Sequence, residues 1–350
     1  MMEVAVIGAG PAGCAAAITL ARAGRGVLLL ERAAHPRESV CGEFLGEDAS
    51  ALLAGLGVDP VALGAVPIAG VRAGAGAREA ASPLPFRAHG LPRRLLDDAL
   101  REAARRHGVQ VITGVTVQGA RPQGEGWRIE GGGVGLRARD IILATGKHAL
   151  RGHARRAAVG AVGIKLHLEG LDLPPETALL RFEGGYAGLQ PGPDGRANLC
   201  AALVGPIPRD AASMIARVAA GSALAARLLR PARPVWARPL AVAGVPYGFV
   251  HRGGVSGVYR VGDQVSVIPS FVGDGMAMAL ASGEGAARAL LAGEGAGAWH
   301  AAWQRRSARQ MRVASAGAWL MRSAPGVFLR VIGNSWTAGL AARLTRVDRG

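Results

Sequence analysis

Val4-Ala5-Val6-Ile7-Gly8-Ala9-Gly10-Pro11-Ala12-Gly13 decides the fold: an apolar strand runs straight into G-x-G-x-x-G. Cys14 to Ala23 then reads as a helix, Val27 to Leu30 as a second strand, and Glu31 closes that strand. Gly8 permits the tight turn, Gly10 lets the backbone approach a pyrophosphate, and Gly13 lets helix and strand pack closely. The helix start, from Ala12 onward behind Pro11, offers free N–H groups and a positive dipole end to phosphate. Glu31, 18 residues after Gly13, can accept hydrogen bonds from a ribose hydroxyl pair. A lone glycine motif says little. Flanked by strand, helix, strand and a terminal acid, it points to a nucleotide-binding α/β fold of Rossmann type.

Composition sets wider bounds. A chain of 350 residues holds one large domain or two modest ones. Half the residues are hydrophobic but only 4% are aromatic, so Ala, Val and Leu must build the core. Disorder is excluded on that composition. The formal charge of +16 suits an anionic partner such as a nucleotide, an acidic lipid or a nucleic acid. However, only Lys147 and Lys165 are lysines, and an arginine bias beside 53 glycines also fits genome composition. Cys14, Cys41 and Cys200 are an odd number without a close pair. That argues against a disulfide framework or a zinc site and fits a reducing cytoplasm. Met1-Met2-Glu3 leads directly into the first strand, so no signal peptide is expected. Val4 to Ala21 is uncharged, but its glycines and Pro11 mark a nucleotide turn rather than a membrane span.

Further along, residues 33 to 46 lack periodicity and read as a loop, followed by a short helix from Glu47 to Leu56. Val66 to Arg87 suggests short strands in a meander. Arg93 to His107 carries a helical apolar stripe ended by Gly108. Val109 to Thr113 and Val115 to Val117 look like strand pieces, and 127 to 138 like a hairpin. Ile141 to Ala144 is a buried strand running into Thr145-Gly146. Residues 158 to 250 alternate strands with Pro/Gly turns around one helix spanning about 211 to 229. Val258 to Val261 returns to a buried strand, and a helix runs from Gly275 to Leu291. The expected organisation is a discontinuous FAD-type domain (1–157 and 251–298), an inserted β-sheet substrate domain (158–250) and a helical, arginine-rich tail (299–350).

The second signature is Val258-Tyr259-Arg260-Val261-Gly262-Asp263, followed by Phe271-Val272-Gly273-Asp274-Gly275-Met276 at the start of an Ala-rich helix. With this pair of motifs the chain resembles the para-hydroxybenzoate hydroxylase-like FAD superfamily, and within it the geranylgeranyl reductase-like group. The resemblance implies that Asp263 binds the ribityl chain, while Gly273, Gly275 and Met276 sit against the flavin N1/C2 edge. A helix N-terminus there would stabilise the negative charge of reduced flavin. It further implies that Arg93, in Leu91-Pro92-Arg93-Arg94-Leu95-Leu96-Asp97, lies near the FAD linker. By the same resemblance Val117 contacts adenine, Thr145 and Gly146 belong to the cofactor site, and Arg32 follows the ribose acid. The loop containing Arg37, Cys41 and Glu43 would lie over the ring system. Gly185-Tyr186-Ala187 is similar to a substrate-domain strand of the family. The resemblance runs to about residue 295.

The chain departs from that pattern too. Ala144-Thr145-Gly146-Lys147 stands where aromatic hydroxylases carry an Asp-Gly motif. The electron donor is therefore either NAD(P)H or a separate reductase. Gly188 replaces the reductases' tryptophan, and the tryptophan motif of the flavin halogenases is absent, which argues against halogenation. The expected activity is a FAD-dependent oxidoreductase of secondary metabolism acting on a hydrophobic small molecule. Hydroxylation of an aromatic or polyketide-type ring stands first. Reduction of carbon–carbon double bonds in a prenyl substrate, or electron transfer without catalysis, are the alternatives. Cys41, Glu43 and Tyr186 are the candidate catalytic residues; no metal ligands and no nucleic-acid motif are expected. From Arg305 onward nine arginines and one acid, Asp348, lie among Trp319, Leu320, Met321, Phe328 and Trp336. Such a region either touches an anionic membrane surface or packs on the body of a cytoplasmic protein.

Overall fold

The computed structural model describes residues 2–132, 134–155 and 160–347. The expected boundary between the first two domains, at 157/158, and Asp348 lie outside them. The first sheet starts with β1 (Met2–Ile7), β2 (Val27–Glu31) and β6 (Gln110–Thr113). It continues through β7 (Val117–Gln123), β8 (Gly126–Gly131), β9 (Val134–Leu143) and β16 (Val258–Arg260). Its order is β6-β2-β1-β9-β8-β7, with β16 also on β9. The pairs β6–β2, β2–β1, β1–β9 and β9–β16 are parallel, while β7 and β8 form an antiparallel flap.

The period-2 alternation of β1 explains its place. Val4 and Val6 face one core, and Ala5 and Ile7 face the other. The first core is closed by the helices α1 (Pro11–Arg22), α3 (Arg93–Arg106), α6 (Gly275–Leu291) and α7 (Ala296–Ser323). Small residues let α1 and α6 approach closely: a Cβ on Gly283 would lie 2.1 Å from the Ala12 carbonyl oxygen. The second core is capped by Trp127 and Ile129 of the flap. The expected strand at 115–117 is displaced. Val117 begins β7 and pairs with Gly131, because residues 114–116 turn the chain from the parallel strand into the flap.

The second sheet has nine strands: β3 (Phe44–Leu45), β4 (Val66–Ala75), β5 (Arg78–Gly90), β10 (Ala161–Glu169), β11 (Glu176–Phe182), β12 (Gly185–Pro191), β13 (Ala197–Leu203), β14 (Arg233–Pro234) and β15 (Leu240–Val245). The hairpin β4–β5 joins it through a parallel pairing of β4 with β11, Gly70 opposite Glu176. The sheet expected of residues 158–250 therefore also draws on residues 66–90. One face packs on α4 (Ala211–Ala219) and α5 (Ala223–Leu229) through Met214, Val218 and Leu224. These replace the single helix expected over 211–229. Gly221 passes so close to strand β11 that a Cβ would lie 2.2 Å from the Arg181 carbonyl oxygen, and Ser222 caps the new helix. The break lets the second helix turn back over the sheet.

The tail continues from α7 into α8 (Pro325–Gly333) and α9 (Ser335–Leu344). Pro325 and Asn334 set the breaks: proline takes the first turn of α8, and the Asn334 side chain caps α9. The end helices lie against β4 and β5, on the opposite face from α4 and α5. The short helix α2 (Glu47–Gly55) packs beside α6. No helix among the described residues is long and apolar enough to cross a membrane.

Candidate FAD and substrate cavity

A cavity of about 530 Å³ lies between the two sheets and the tail. The residues singled out in sequence divide into two groups around it. Gly10, Pro11, Ala12, Arg93 and Gly146 line the wall nearest the first fingerprint. Gly262, Asp263, Gly273, Gly275 and Met276 line the wall formed by the second signature. Cys41, Glu43 and Tyr186 complete that end, against the second sheet. Gly8, Gly13, Glu31, Arg32, Arg37, Val117 and Thr145 are not on the cavity wall.

Gly8 and Gly13 act underneath the wall. Gly8 adopts φ +108°, and a Cβ there would meet the Ala144 carbonyl oxygen at 2.3 Å. A Cβ on Gly13 would lie 1.9 Å from the Gly8 oxygen. Glu31 spends its carboxylate on the same turn, accepting from the Ala9 amide at 2.9 Å and from the Ala33 amide at 2.9 Å. Arg32 and Arg37 are exposed. Thr145 donates to the His148 carbonyl.

Two helix N-termini reach the cavity without a side-chain cap, α1 behind Gly10 and α6 behind Asp274. Uncapped first-turn amides leave donors for an outside acceptor. A Cβ on Gly275 would meet nothing within 4 Å, and one on Gly10 only the Arg93 guanidinium at 3.6 Å. Both glycines thus open on space that a ligand can fill. Two cationic groups stand beside it. Arg93 forms a bidentate pair with Asp97, 2.9 Å for each contact. Lys147 pairs with Asp263 at 3.1 Å. Burial opposes the Lys147 ammonium, but the Asp263 carboxylate outweighs it and raises its pKa. Ser282 locks the strand end, accepting from the Gly262 amide at 2.8 Å. Arg155 holds the carbonyls of Gly146, Lys147 and Asp263 together.

Glu43 is the hub of a buried network. Its φ of +60° is left-handed, a conformation that costs a non-glycine residue roughly 1–2 kcal/mol. Its side chain holds it there. It pairs with Lys165, accepts from the Arg93 amide at 3.1 Å, and meets His167 Nε2 at 3.0 Å. Lys165 also reaches Glu38 at 2.6 Å. Burial pushes the Glu43 carboxyl up, yet the His167 hydrogen bond and the Lys165 ammonium pull it below its ordinary value. Glu38, Glu43 and His167 bring ligand-type atoms within 4.8 Å of one another, but the Lys165 ammonium bridges the two carboxylates. Asn198 fixes the loop above by donating to the carbonyls of Cys41 and Gly42.

Sequence reasoning missed Lys165 and His167. Their signal is visible in hindsight: Ile164, Leu166 and Leu168 alternate with them, so both project from the opposite face of one strand. It also missed Lys147. Both lysines of this arginine-rich chain sit against acids at this site.

Tyr186 reaches the wall as a neutral group. Burial pushes its phenol up to about 12, and its oxygen lies 2.8 Å from Ser270 Oγ. The far end of the cavity is apolar and comes from the tail. Val313, Gly317 and Leu320 of α7, Phe328 and Ile332 of α8, and Ala341 of α9 line it. The tail returns to the loop before α6 at Arg346, which pairs with buried Asp274 at 2.5 Å.

Residues 1–149 match the family model described as FAD binding domain. The match covers 149 of the 350 residues. Two curated relatives resemble part of the chain. A menaquinone reductase of Mycolicibacterium smegmatis is 35% identical over 120 residues, 33% of this chain and 29% of that protein. A menaquinone reductase of Mycobacterium tuberculosis is 38% identical over 117 residues, 32% of this chain and 29% of that protein. The alignment thus spans less than a third of either relative. Among solved structures, the flavin-dependent brominase Bmp2 superposes with a TM-score of 0.79 at 22% identity, covering 98% of this chain and 93% of that one. A flavoprotein/dehydrogenase from Cytophaga hutchinsonii gives 0.72 at 20% identity, over 98% and 99%. At these identities the shared fold is the finding. The open space at Gly10 and Gly275, the two uncapped helix starts and the flanking cations fit FAD.

Proposed function

We propose that the protein is a FAD-dependent oxidoreductase that reduces a carbon–carbon double bond in an apolar, isoprenoid-like small molecule. The observation that carries this reading is the division of the cavity. Polar and charged groups crowd its FAD end, while helices α7 to α9 supply an apolar far end. Such a pocket recognises a substrate by hydrophobic burial and fixes it with a few polar groups. The curated relatives named menaquinone reductases support the same class.

Bound FAD supplies hydride chemistry that no protein side chain provides. Gly10 to Gly13 and the start of α1 would hold its pyrophosphate, with Arg93 beside the linker. Glu31 and Val117 would flank the adenosine end, and Asp263, held by Lys147, the ribityl chain. The start of α6 at Gly275 would face the flavin edge where negative charge collects on reduction. Phe328, Leu320 and Ile332 bury the substrate and exclude water. Glu43, joined to His167 and Lys165, ties the loop after Cys41 to strand β10 and presents a buried carboxylate on the cavity wall for a proton. Tyr186, whose phenol burial keeps neutral near pH 7, positions rather than deprotonates.

A second reading is hydroxylation of a phenolic ring. The Arg93 and Lys147 cations on the wall favour it, because they would stabilise a phenolate. One experiment separates the two. The purified protein is photoreduced without oxygen and mixed with a prenylated quinone, and flavin reoxidation is followed at its visible band. Anaerobic reoxidation with a product that still carries two extra hydrogens after any quinol has been reoxidised to the quinone in air establishes reduction of a prenyl double bond. Product heavier by one oxygen, formed only when O₂ is admitted, establishes hydroxylation. Neither product from prenylated quinones, free prenyl lipids or phenols would refute both.

A further inference from the structure

The tail helices have two faces, and only one belongs to the cavity. On α9, Ala338, Ala341, Ala342 and Thr345 line the cavity. The opposite stripe, Trp336, Leu340 and Arg343, is exposed. On α8, Phe328, Val331 and Ile332 face inward while Val327 and Arg330 are exposed. At the end of α7, Val313, Gly317 and Leu320 face inward while Arg312, Trp319 and Arg322 are exposed. The 3.6-residue period puts each set on its own side of a one-helix-thick wall.

The outer side is unusual in two respects. Trp336 is 74% exposed and Trp319 57%, joined by Leu340 at 44% and Val327 at 43%. Large apolar side chains held in water at such exposure on neighbouring helices mark an interaction surface. The charge that the tail itself carries is of one sign. Residues 295 to 347 contain no acid at all. Arg312, Arg322, Arg330 and Arg343 make no ion pair among the described residues. Tryptophan prefers the headgroup level of a bilayer, and arginine is drawn to the phosphates of anionic lipid at the surface.

We propose that this outer face docks on an anionic membrane surface, so that the wall of the cavity is also the contact with the lipid. The complementarity of charge chooses the occupant. Trp336, Trp319, Leu340 and Val327 enter the headgroup region, and the four arginines pair with lipid phosphates. Substrate would then pass from the lipid through a single helical layer. This deepens the reading of the cavity as a site for an apolar substrate and rests on it for that last step; docking itself is measured without turnover.

The test uses the full chain loaded with FAD and sucrose-filled vesicles. Phosphatidylcholine alone is compared with a mixture containing phosphatidylglycerol. The expected result is sedimentation with the anionic vesicles only, with a blue shift of tryptophan emission and weakening at high salt. Trp319→Ser/Trp336→Ser should lower binding at least tenfold with FAD content unchanged. The charge control Arg121→Gln/Arg227→Gln, in other parts of the fold, should bind as the parent does. No binding to anionic vesicles, or equal loss in the charge control, overturns the proposal. So does a dimer in sedimentation velocity that the tryptophan variant breaks, which would make the face a protein interface. Binding that double-stranded DNA displaces and the tryptophan variant retains would reduce it to polycation adsorption and also overturn it. If docking holds and no apolar substrate turns over, the cavity reading fails alone.

Discussion

Gly283→Ala tests whether the close packing of α1 on α6 sets the FAD site. The added Cβ would stand 2.1 Å from the Ala12 carbonyl oxygen and 3.1 Å from the Ala15 Cβ. A carbon–oxygen contact settles near about 3.3 Å, so the two helices must part by about 1.2 Å. Overpacking of this kind costs about 1–3 kcal/mol. The shift falls on the first turn of α1, the turn expected to meet the pyrophosphate. Losing one charge-assisted hydrogen bond there costs about 1.5–3 kcal/mol, or roughly 10- to 100-fold in affinity. The measurement is the FAD dissociation constant, from recovery of flavin fluorescence on dilution, together with the melting midpoint. Gly297→Ala is the control: its Cβ would meet nothing within 4 Å, and the change in helix propensity should stabilise by about 0.5 kcal/mol. Wild-type FAD affinity in Gly283→Ala would refute the reasoning, since it would mean that α1 can move without cost to the site.

Glu43→Gln should destabilise the protein by about 3–5 kcal/mol at neutral pH, because buried Lys165 loses a partner. The folded pKa of Glu43 lies below its ordinary value, so this stability is present above the unfolded pKa and lost as pH falls through the folded one. The variant should therefore show a flatter acid limb in melting scans. Asp274 behaves oppositely: burial, only partly offset by Arg346, pushes its carboxyl up to about 7. Its stabilising contribution is complete below the ordinary carboxylate range and is lost as pH rises to about 7, so Asp274→Asn should flatten the fall of the melting midpoint between about pH 4 and 7. Ala341→Trp should fill the apolar end of the cavity, lowering substrate-dependent flavin reoxidation at least tenfold while FAD content stays at one per chain.

What the sequence made legible was local. The G-x-G-x-x-G turn, the parallel strands around it and the helix from Gly275 to Leu291 each announce themselves within a dozen residues, because backbone strain and helix periodicity are short-range properties. The hidden parts depend on pairings across long stretches. The parallel register of β4 on β11 has no local trace, so strands at 66–90 were not seen to share a sheet with 161–245. Lys165 meets Glu43 across 122 positions, and His167 meets it across 124. Alternation placed both on one strand face but could not say which loop would cover it. The tail was legible as helical and basic. That its inner faces form the apolar end of the cavity required the fold of both sheets first.

The Asp274–Arg346 pair has a consequence for synthesis. Arg346 carries the chain back onto the loop that faces the expected flavin edge, and the Val347 amide bonds to Asp48 at 3.0 Å. A ribosome delivers the first fingerprint early and this closing strand of contacts some 330 residues later. Until then the pocket has a floor but lacks one side, and its apolar lining stands open to water and to other nascent chains. Cofactor captured during translation would sit in an unfinished site. Full retention would begin only once residue 346 has emerged and folded back onto Asp274.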